Sequence, residues 1–167
     1  EVEKIISSNP DNIVIMDEAY MAFCGESCME LVKKYNNLLV TRTFSKSHSL
    51  AGLRVGFGIA SKEIIDDLNK LKYSFNPYNL NTLSIKAAAA AIADNEYYDD
   101  KIAKIVETRE KTTAQLKELG FTCTDSKSNF IFASSDRIPA SVLATKLREK
   151  GILIRYFNKP KIDNYLR

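Results

Sequence analysis

Thr43, Ser45, Lys46 and Arg54 fall within one short stretch, Thr41-Arg-Thr-Phe-Ser-Lys-Ser-His-Ser-Leu-Ala-Gly-Leu-Arg-Val-Gly56. An apolar run, Leu38-Leu-Val40, leads into it and a second, from Val55, leads away. The polar side chains therefore occupy a loop at the end of a buried strand, where an uncompensated charge is costly to desolvate. A lysine in that position finds an anion, loses its proton, or forms a bond that removes its charge. The last two options make it a covalent catalyst for carbonyl compounds through a Schiff base. Arg54 with the hydroxyls of Thr43 and Ser45 suits a phosphate, because the guanidinium fork matches phosphate oxygens and the hydroxyls donate to the rest.

A carbonyl-reactive lysine beside a phosphate cradle points to pyridoxal phosphate (PLP), which also needs a carboxylate at its pyridinium nitrogen to act as an electron sink. Ile13-Val-Ile-Met16 reads as a buried strand, and Asp17-Glu-Ala-Tyr20 follows at its carboxyl end, where open α/β sheets bind ligands. Plainer readings exist for each residue. Asp17 also suits a helix cap, with Glu18 as its solvated neighbour. Gly52 and Gly56 suit an ordinary turn and strand as well as close approach to a cofactor. His48 suits a solvated or loop-bracing role.

Asp17-Glu-Ala-Tyr20 followed by Thr43-Phe-Ser-Lys-Ser-His-Ser-Leu-Ala-Gly-Leu-Arg-Val-Gly56 resembles the PLP site of fold-type I, class I and II aminotransferases. Within these the chain is most similar to the histidinol-phosphate aminotransferases of histidine biosynthesis. Ser74-Phe-Asn-Pro-Tyr-Asn-Leu80, Ile154-Arg-Tyr-Phe-Asn158 and Asn164-Tyr-Leu-Arg167 carry that narrower match. The resemblance spans essentially the whole chain. It implies that Lys46 forms the Schiff base and shuttles the substrate proton. Asp17 would pair with the pyridinium nitrogen, Tyr20 would donate to the ring oxygen, and Thr43, Ser45 and Arg54 would hold the phosphate. Arg167 matches the arginine that takes the substrate carboxylate, and Arg155 the one that reaches the phosphate of histidinol phosphate. The implied reaction transfers the amino group of L-histidinol phosphate to 2-oxoglutarate, in a cytoplasmic homodimer. Related readings are an aromatic aminotransferase, a threonine-phosphate decarboxylase, or an inert piece that no longer binds PLP and self-associates through exposed apolar surface.

The family's N-terminal substrate loop, phosphate-capping glycine turn, ring-stacking aromatic residue and Asn-Pro-x-x-Pro-x-Gly turn have no counterpart here, and such enzymes run to about twice this length. The chain thus corresponds to the C-terminal half: residues 1–95 as part of the PLP-binding large domain and 96–167 as a small C-terminal domain. The expected fold is α/β, a mostly parallel sheet with helices followed by a small α+β domain.

Composition agrees with a globular chain: 45% hydrophobic and 27% charged residues, with a net charge of +3 too dispersed to argue for nucleic acid. No apolar run approaches the roughly 18 residues of a membrane span, and the opening residues do not form a signal peptide. Cys24, Cys28 and Cys123 lack the spacing and histidine partners of a zinc set and read as reduced structural thiols. Around the site, the pattern predicts a helix ending near Ser8 and another over Ser27–Tyr35. Strands are expected over 38–43 and 55–60. Ser61 caps a helix over 62–72 with Ile64, Ile65, Leu68 and Leu71 inward. Further helices are expected over 85–93 and 96–119, the latter closed by Gly120. Beyond lie strands over 121–123, 129–133 and 152–155, and a helix between Pro139 and Gly151.

Overall fold

The computed structural model describes residues 1–167. It divides into two compact units, Glu1–Ile102 and Ala103–Arg167.

The first unit is built on a three-stranded sheet of β1 (Val14–Asp17), β2 (Leu38–Thr43) and β3 (Gly56–Ile59), in that order. β1 and β2 run parallel with Asp17 opposite Thr41, and β2 and β3 run antiparallel with Thr43 opposite Gly56. Strand alternation collects Val14 and Met16 with Leu38 and Val40 on one face. There they pack with Ile6 of α1 (Val2–Ser7) and with Leu31, Val32 and Tyr35. Ile13 and Ile15, on the other face, are 59% and 61% exposed. The run that reads as a buried strand is therefore covered on one side only within this chain.

Asn37 ties the entry to this sheet. Its amide donates to the carbonyls of Ile6, Asn9 and Asn12 at 3.2, 2.9 and 3.2 Å, joining α1, its exit turn and the start of β2. The expected α-helix over Ser27–Tyr35 is instead a short 3₁₀ segment, Met29–Lys33, with Leu31 and Val32 still turned to the core. Ser27 and Cys28 are held by the Glu18 carboxylate, which leaves too few residues for an α-helical ladder and suits the tighter turn.

α2 (Lys62–Phe75) starts at Ser61, whose hydroxyl accepts from the Ile64 amide. Of its predicted inward face only Ile64 is buried, while Leu68 and Leu71 are 41% and 55% exposed. In α3 (Thr82–Ala93), Ala88 and Ala91 pack on Phe44 and Val55, their small side chains permitting close approach. The fully buried Ser84 donates to the Leu53 carbonyl at 3.0 Å. That bond fixes α3 to the residue before Arg54.

The division between units falls within α4 (Asn95–Glu118), and Gly120 with φ +84° turns the chain out of it. The second unit holds an antiparallel sheet of β4 (Thr122–Cys123), β5 (Ala133–Ser134) and β6 (Tyr165–Leu166), ordered β4-β5-β6, with α5 (Ala140–Glu149) between β5 and β6. Two expected strands differ. Residues 129–132 stay irregular because the Ser126 hydroxyl takes the Phe130 carbonyl at 2.6 Å, a local alternative to a ladder bond. Residues 152–155 form no strand, and only Arg155 and Tyr156 pair, with Arg167 and Leu166. On α4 the buried residue is Arg109, which donates to the Ser128 carbonyl at 2.8 Å. No helix is long and apolar enough to cross a membrane.

A Cβ at Gly56 would stand 2.7 Å from the Arg42 carbonyl oxygen, whereas one at Gly52 meets nothing within 4 Å. Gly56→Ala is expected to cost about 1–3 kcal/mol by overpacking against backbone, and Gly52→Ala about 0.5 kcal/mol or less. Urea unfolding of the two variants checks the contrast.

Candidate functional site

β2 ends at Thr43, and the loop beyond it is tied by its own side chains. The Thr43 hydroxyl donates to Ser45 Oγ at 2.9 Å and accepts from the Ser45 amide at 3.0 Å. Phe44 turns inward, with 3% of its surface exposed. Its amide donates to the Val55 carbonyl at 3.1 Å, and its carbonyl accepts from Leu50 at the same distance, so both ends of the loop are pinned. Lys46 is thereby turned outward, its ammonium 5.4 Å from the centre of the Tyr20 ring. Ser49 and Arg54 hold φ of 56° and 55° in the left-handed region. For residues with a side chain each such angle costs about 1–3 kcal/mol, so the pinned loop is under strain. Arg54 Nη1 donates to the Ala51 carbonyl at 3.0 Å, and the rest of its fork faces outward on an exposed residue.

Asp17 closes β1 at the same sheet edge. Its Oδ1 accepts from the Ala19 amide at 3.0 Å, an Asx turn that swings the chain toward Tyr20. Asp17, Tyr20, Thr43, Ser45, Lys46 and Arg54 thus come from the carboxyl ends of β1 and β2 and from the loop entering β3. Arg155 and Arg167 belong to the second unit, and the structure pairs them directly. Each backbone amide donates to the other's carbonyl at 2.9 Å, a cross-strand pair that sends both side chains to one face. Their guanidiniums lie 5.8 and 5.1 Å from the ring centres of Phe157 and Phe130. Both arginines are exposed.

Glu18, which reads in the sequence as a solvated neighbour of Asp17, is buried, with 5% of its side chain exposed. It points to the opposite face of the sheet from Asp17 and accepts from Ser27 Oγ, the Cys28 amide, the Cys28 thiol and Arg42 Nε at 2.8, 2.7, 3.1 and 3.0 Å. Burial pushes its carboxyl up, but the bonds from Cys28, Ser27 and Arg42 outweigh this and the net shift is downward. Cys28 is pushed up to about 11, by burial first and then by the Glu18 carboxylate, so it stays a thiol at neutral pH. The register carried the missing signal: with Asp17 opposite Thr41, the next residues, Glu18 and Arg42, meet on the reverse face.

His48 braces the loop. Its Nδ1 shares a hydrogen with Ser47 Oγ at 2.9 Å, and its ring lies 5.1 Å from Phe44 and 4.7 Å from Tyr98. Burial pushes its pKa down, and Asp99 partly restores it. Glu18, Arg42 and His48 also line a cavity of about 270 Å³ with Met29, Phe44 and Phe57.

Residues 1–167 match the family model described as aminotransferase class I and II. A histidinol-phosphate aminotransferase from Brachyspira hyodysenteriae is 55% identical over all of this chain and 48% of its own length. One from Clostridium acetobutylicum is 48% identical over all of this chain and 47% of its own length. A solved structure of a histidinol-phosphate aminotransferase from Clostridium acetobutylicum superposes with a TM-score of 0.87 at 26% identity, covering 98% of this chain and 51% of that one. The chain spans about half the length of the curated relatives it matches.

The depressed His48 pKa has a definite consequence for stability. Above its ordinary value near 6.5 the ring is neutral in both folded and unfolded states. Below that value the unfolded state takes up the proton more readily, so stability falls as pH drops through 6.5 toward the folded pKa. His48→Phe keeps the ring packing and is expected to lose less stability than the native protein between pH 7 and 5. Parallel urea titrations at the two pH values measure the difference.

Proposed function

The chain belongs to the class I and II aminotransferase family, and from that premise we propose that the whole protein transfers the amino group of L-histidinol phosphate to 2-oxoglutarate. Aminotransferases of this family are PLP-dependent. When bound, the cofactor supplies the carbonyl partner and the electron sink. The single observation that carries the reading is the meeting, at one sheet edge, of the Lys46 ammonium, the Tyr20 ring, the Asp17 carboxylate and the paired Thr43 and Ser45 hydroxyls. That donor set fits the cofactor. Thr43, Ser45 and Arg54 offer hydroxyls and a guanidinium to a phosphate, and Asp17 offers an opposite charge that keeps a ring nitrogen protonated.

In this reading Lys46 would anchor the cofactor covalently, and its amine, once displaced by the substrate's amino group, would accept the substrate α-proton and hand it back. Its exposure leaves it free to move between those two steps. Tyr20 lies beside it, placed to donate its hydroxyl to the ring oxygen. Arg155 reads the phosphate of histidinol phosphate and Arg167 the α-carboxylate of glutamate, and their backbone pairing sets the two side chains on one face. The histidinol-phosphate names of the relatives support that substrate. We place the whole protein in the cytoplasm as a homodimer. Its free Cys24, Cys28 and Cys123 are compatible with a reducing compartment.

The test uses the full-length protein with PLP. Glutamate is expected to convert the bound cofactor in a single half-reaction, visible as a change in the absorbance spectrum, and Lys46→Ala to abolish it. Arg155→Met should raise KM for histidinol phosphate by about tenfold to a hundredfold, the worth of a charged hydrogen bond, while leaving glutamate unchanged. Equal use of phenylalanine by native and variant protein would favour an aromatic aminotransferase. Release of carbon dioxide from threonine phosphate would mark the decarboxylase.

A further inference from the structure

Glu18 and Arg42 face away from Asp17 and Thr43, and no step above uses them. A buried ion pair is rarely the most stabilising choice, since apolar side chains of similar volume often serve as well or better. Here the Glu18 carboxylate is fully engaged. Arg42 donates through Nε to Glu18 Oε2 at 3.0 Å, with Nη2 2.9 Å from the same oxygen, and Nη2 donates to Ser27 Oγ at 2.7 Å. Cys28 adds its amide and thiol. One carboxylate thereby joins the exit of β1, the Ser27–Cys28 turn and the end of β2. Its chain neighbours are the groups the chemistry needs: Asp17 immediately before it, Tyr20 two residues beyond, and Thr43 immediately after Arg42.

We propose that Glu18 and Arg42 are positioning residues for the cofactor site: their ion pair, anchored on the buried Glu18 carboxylate and closed through Ser27 and Cys28, holds the Asp17–Tyr20 turn in fixed relation to Thr43 and Ser45. The inference rests on the PLP-dependent function proposed above. Asp17 and Tyr20 flank Glu18 in the same short turn, so loosening the clamp would disturb both together. Small displacements of this kind are known to weaken a preorganised site strongly.

The experiment compares native full-length protein with Glu18→Gln, Arg42→Lys and a packing control, Val40→Ala, which thins the same sheet face without touching the clamp. Three quantities are read: the rate at which bound PLP is lost to an excess of scavenging apoenzyme, the pH midpoint of the visible cofactor band, and site-resolved alkylation of Cys28 by iodoacetamide in cofactor-free protein. Glu18→Gln should release PLP about tenfold faster and shift the band's midpoint. It should also speed Cys28 alkylation, because the thiol loses the adjacent negative charge that raises it. Arg42→Lys should fall between this variant and the native protein, and Val40→Ala should lower Tm without moving the midpoint. Faster alkylation with native PLP release and midpoint would overturn the proposal, since the clamp would then be broken without consequence for the site. Equal shifts in Val40→Ala would overturn it too, by assigning the effect to stability alone. Should Glu18→Gln fail to fold, Arg42→Lys decides on the same terms. Native protein without a PLP band defeats the proposed function and this inference together, whereas an unaffected clamp variant defeats the inference alone.

Discussion

The parallel pairing of β1 with β2, with Asp17 set opposite Thr41, is the constraint from which the rest of the site follows. Two short strands cannot hold a register by backbone bonds alone, because a slip of one residue would carry every side chain to the wrong face. Here the register is fixed from both ends. Asn37 gathers three carbonyls at the start of β2, and the Glu18–Arg42 pair locks the far end. Val14, Met16, Leu38 and Val40 then have no alternative but the covered face, which leaves Asp17, Thr41 and Thr43 on the other. The chemistry of this chain is the complement of its packing.

The loop that carries Lys46 shows the opposite strategy. Its ends are fastened by the bonds among Phe44, Leu50 and Val55 and by Ser84 gripping Leu53. Between these anchors Ser49 and Arg54 are driven into left-handed backbone. An arginine is a poor choice for that conformation on steric grounds, and a glycine would relieve it. Its retention is intelligible if the guanidinium itself is what the position requires. The strain is borne by the burial of Phe44 and Val55 with Ala88 and Ala91, an example of a packed core holding a costly local geometry.

Much of this was readable from residue types alone. The strand–loop–strand around Lys46 and the polar cluster at its end follow from apolar runs flanking hydroxyls and cations, and Ser61 behaves as an ordinary helix cap; the expected start of α3 at residue 85 falls three residues late, because Asn81 caps it at Thr82. What could not be read depends on partners distant in sequence. Ser27–Tyr35 has helical spacing, yet a carboxylate nine and ten residues upstream takes its first donors. Residues 129–133 and 152–155 have strand composition, but a serine hydroxyl claims the Phe130 carbonyl in the first, and only Arg155 finds a ladder partner in the second. Leu68 and Leu71 lie in the predicted apolar stripe of α2 and remain exposed. Periodicity shows which side chains could share a face, not whether anything in this chain covers it.

Arg155 and Arg167 make the same point from the chemical side. Taken singly, each is an exposed arginine, the most ordinary surface residue. Paired across two backbone hydrogen bonds they share one face, because antiparallel geometry puts directly opposed side chains about 5 Å apart at Cβ. Like charges at that spacing repel, so the pair opposes folding unless something offsets it. The neighbouring rings of Phe157 and Phe130 offset part of it, each offering a guanidinium a π face. A bound anion would offset the remainder. The repulsion that weakens the pair is therefore the same term that a nearby negative charge would relieve.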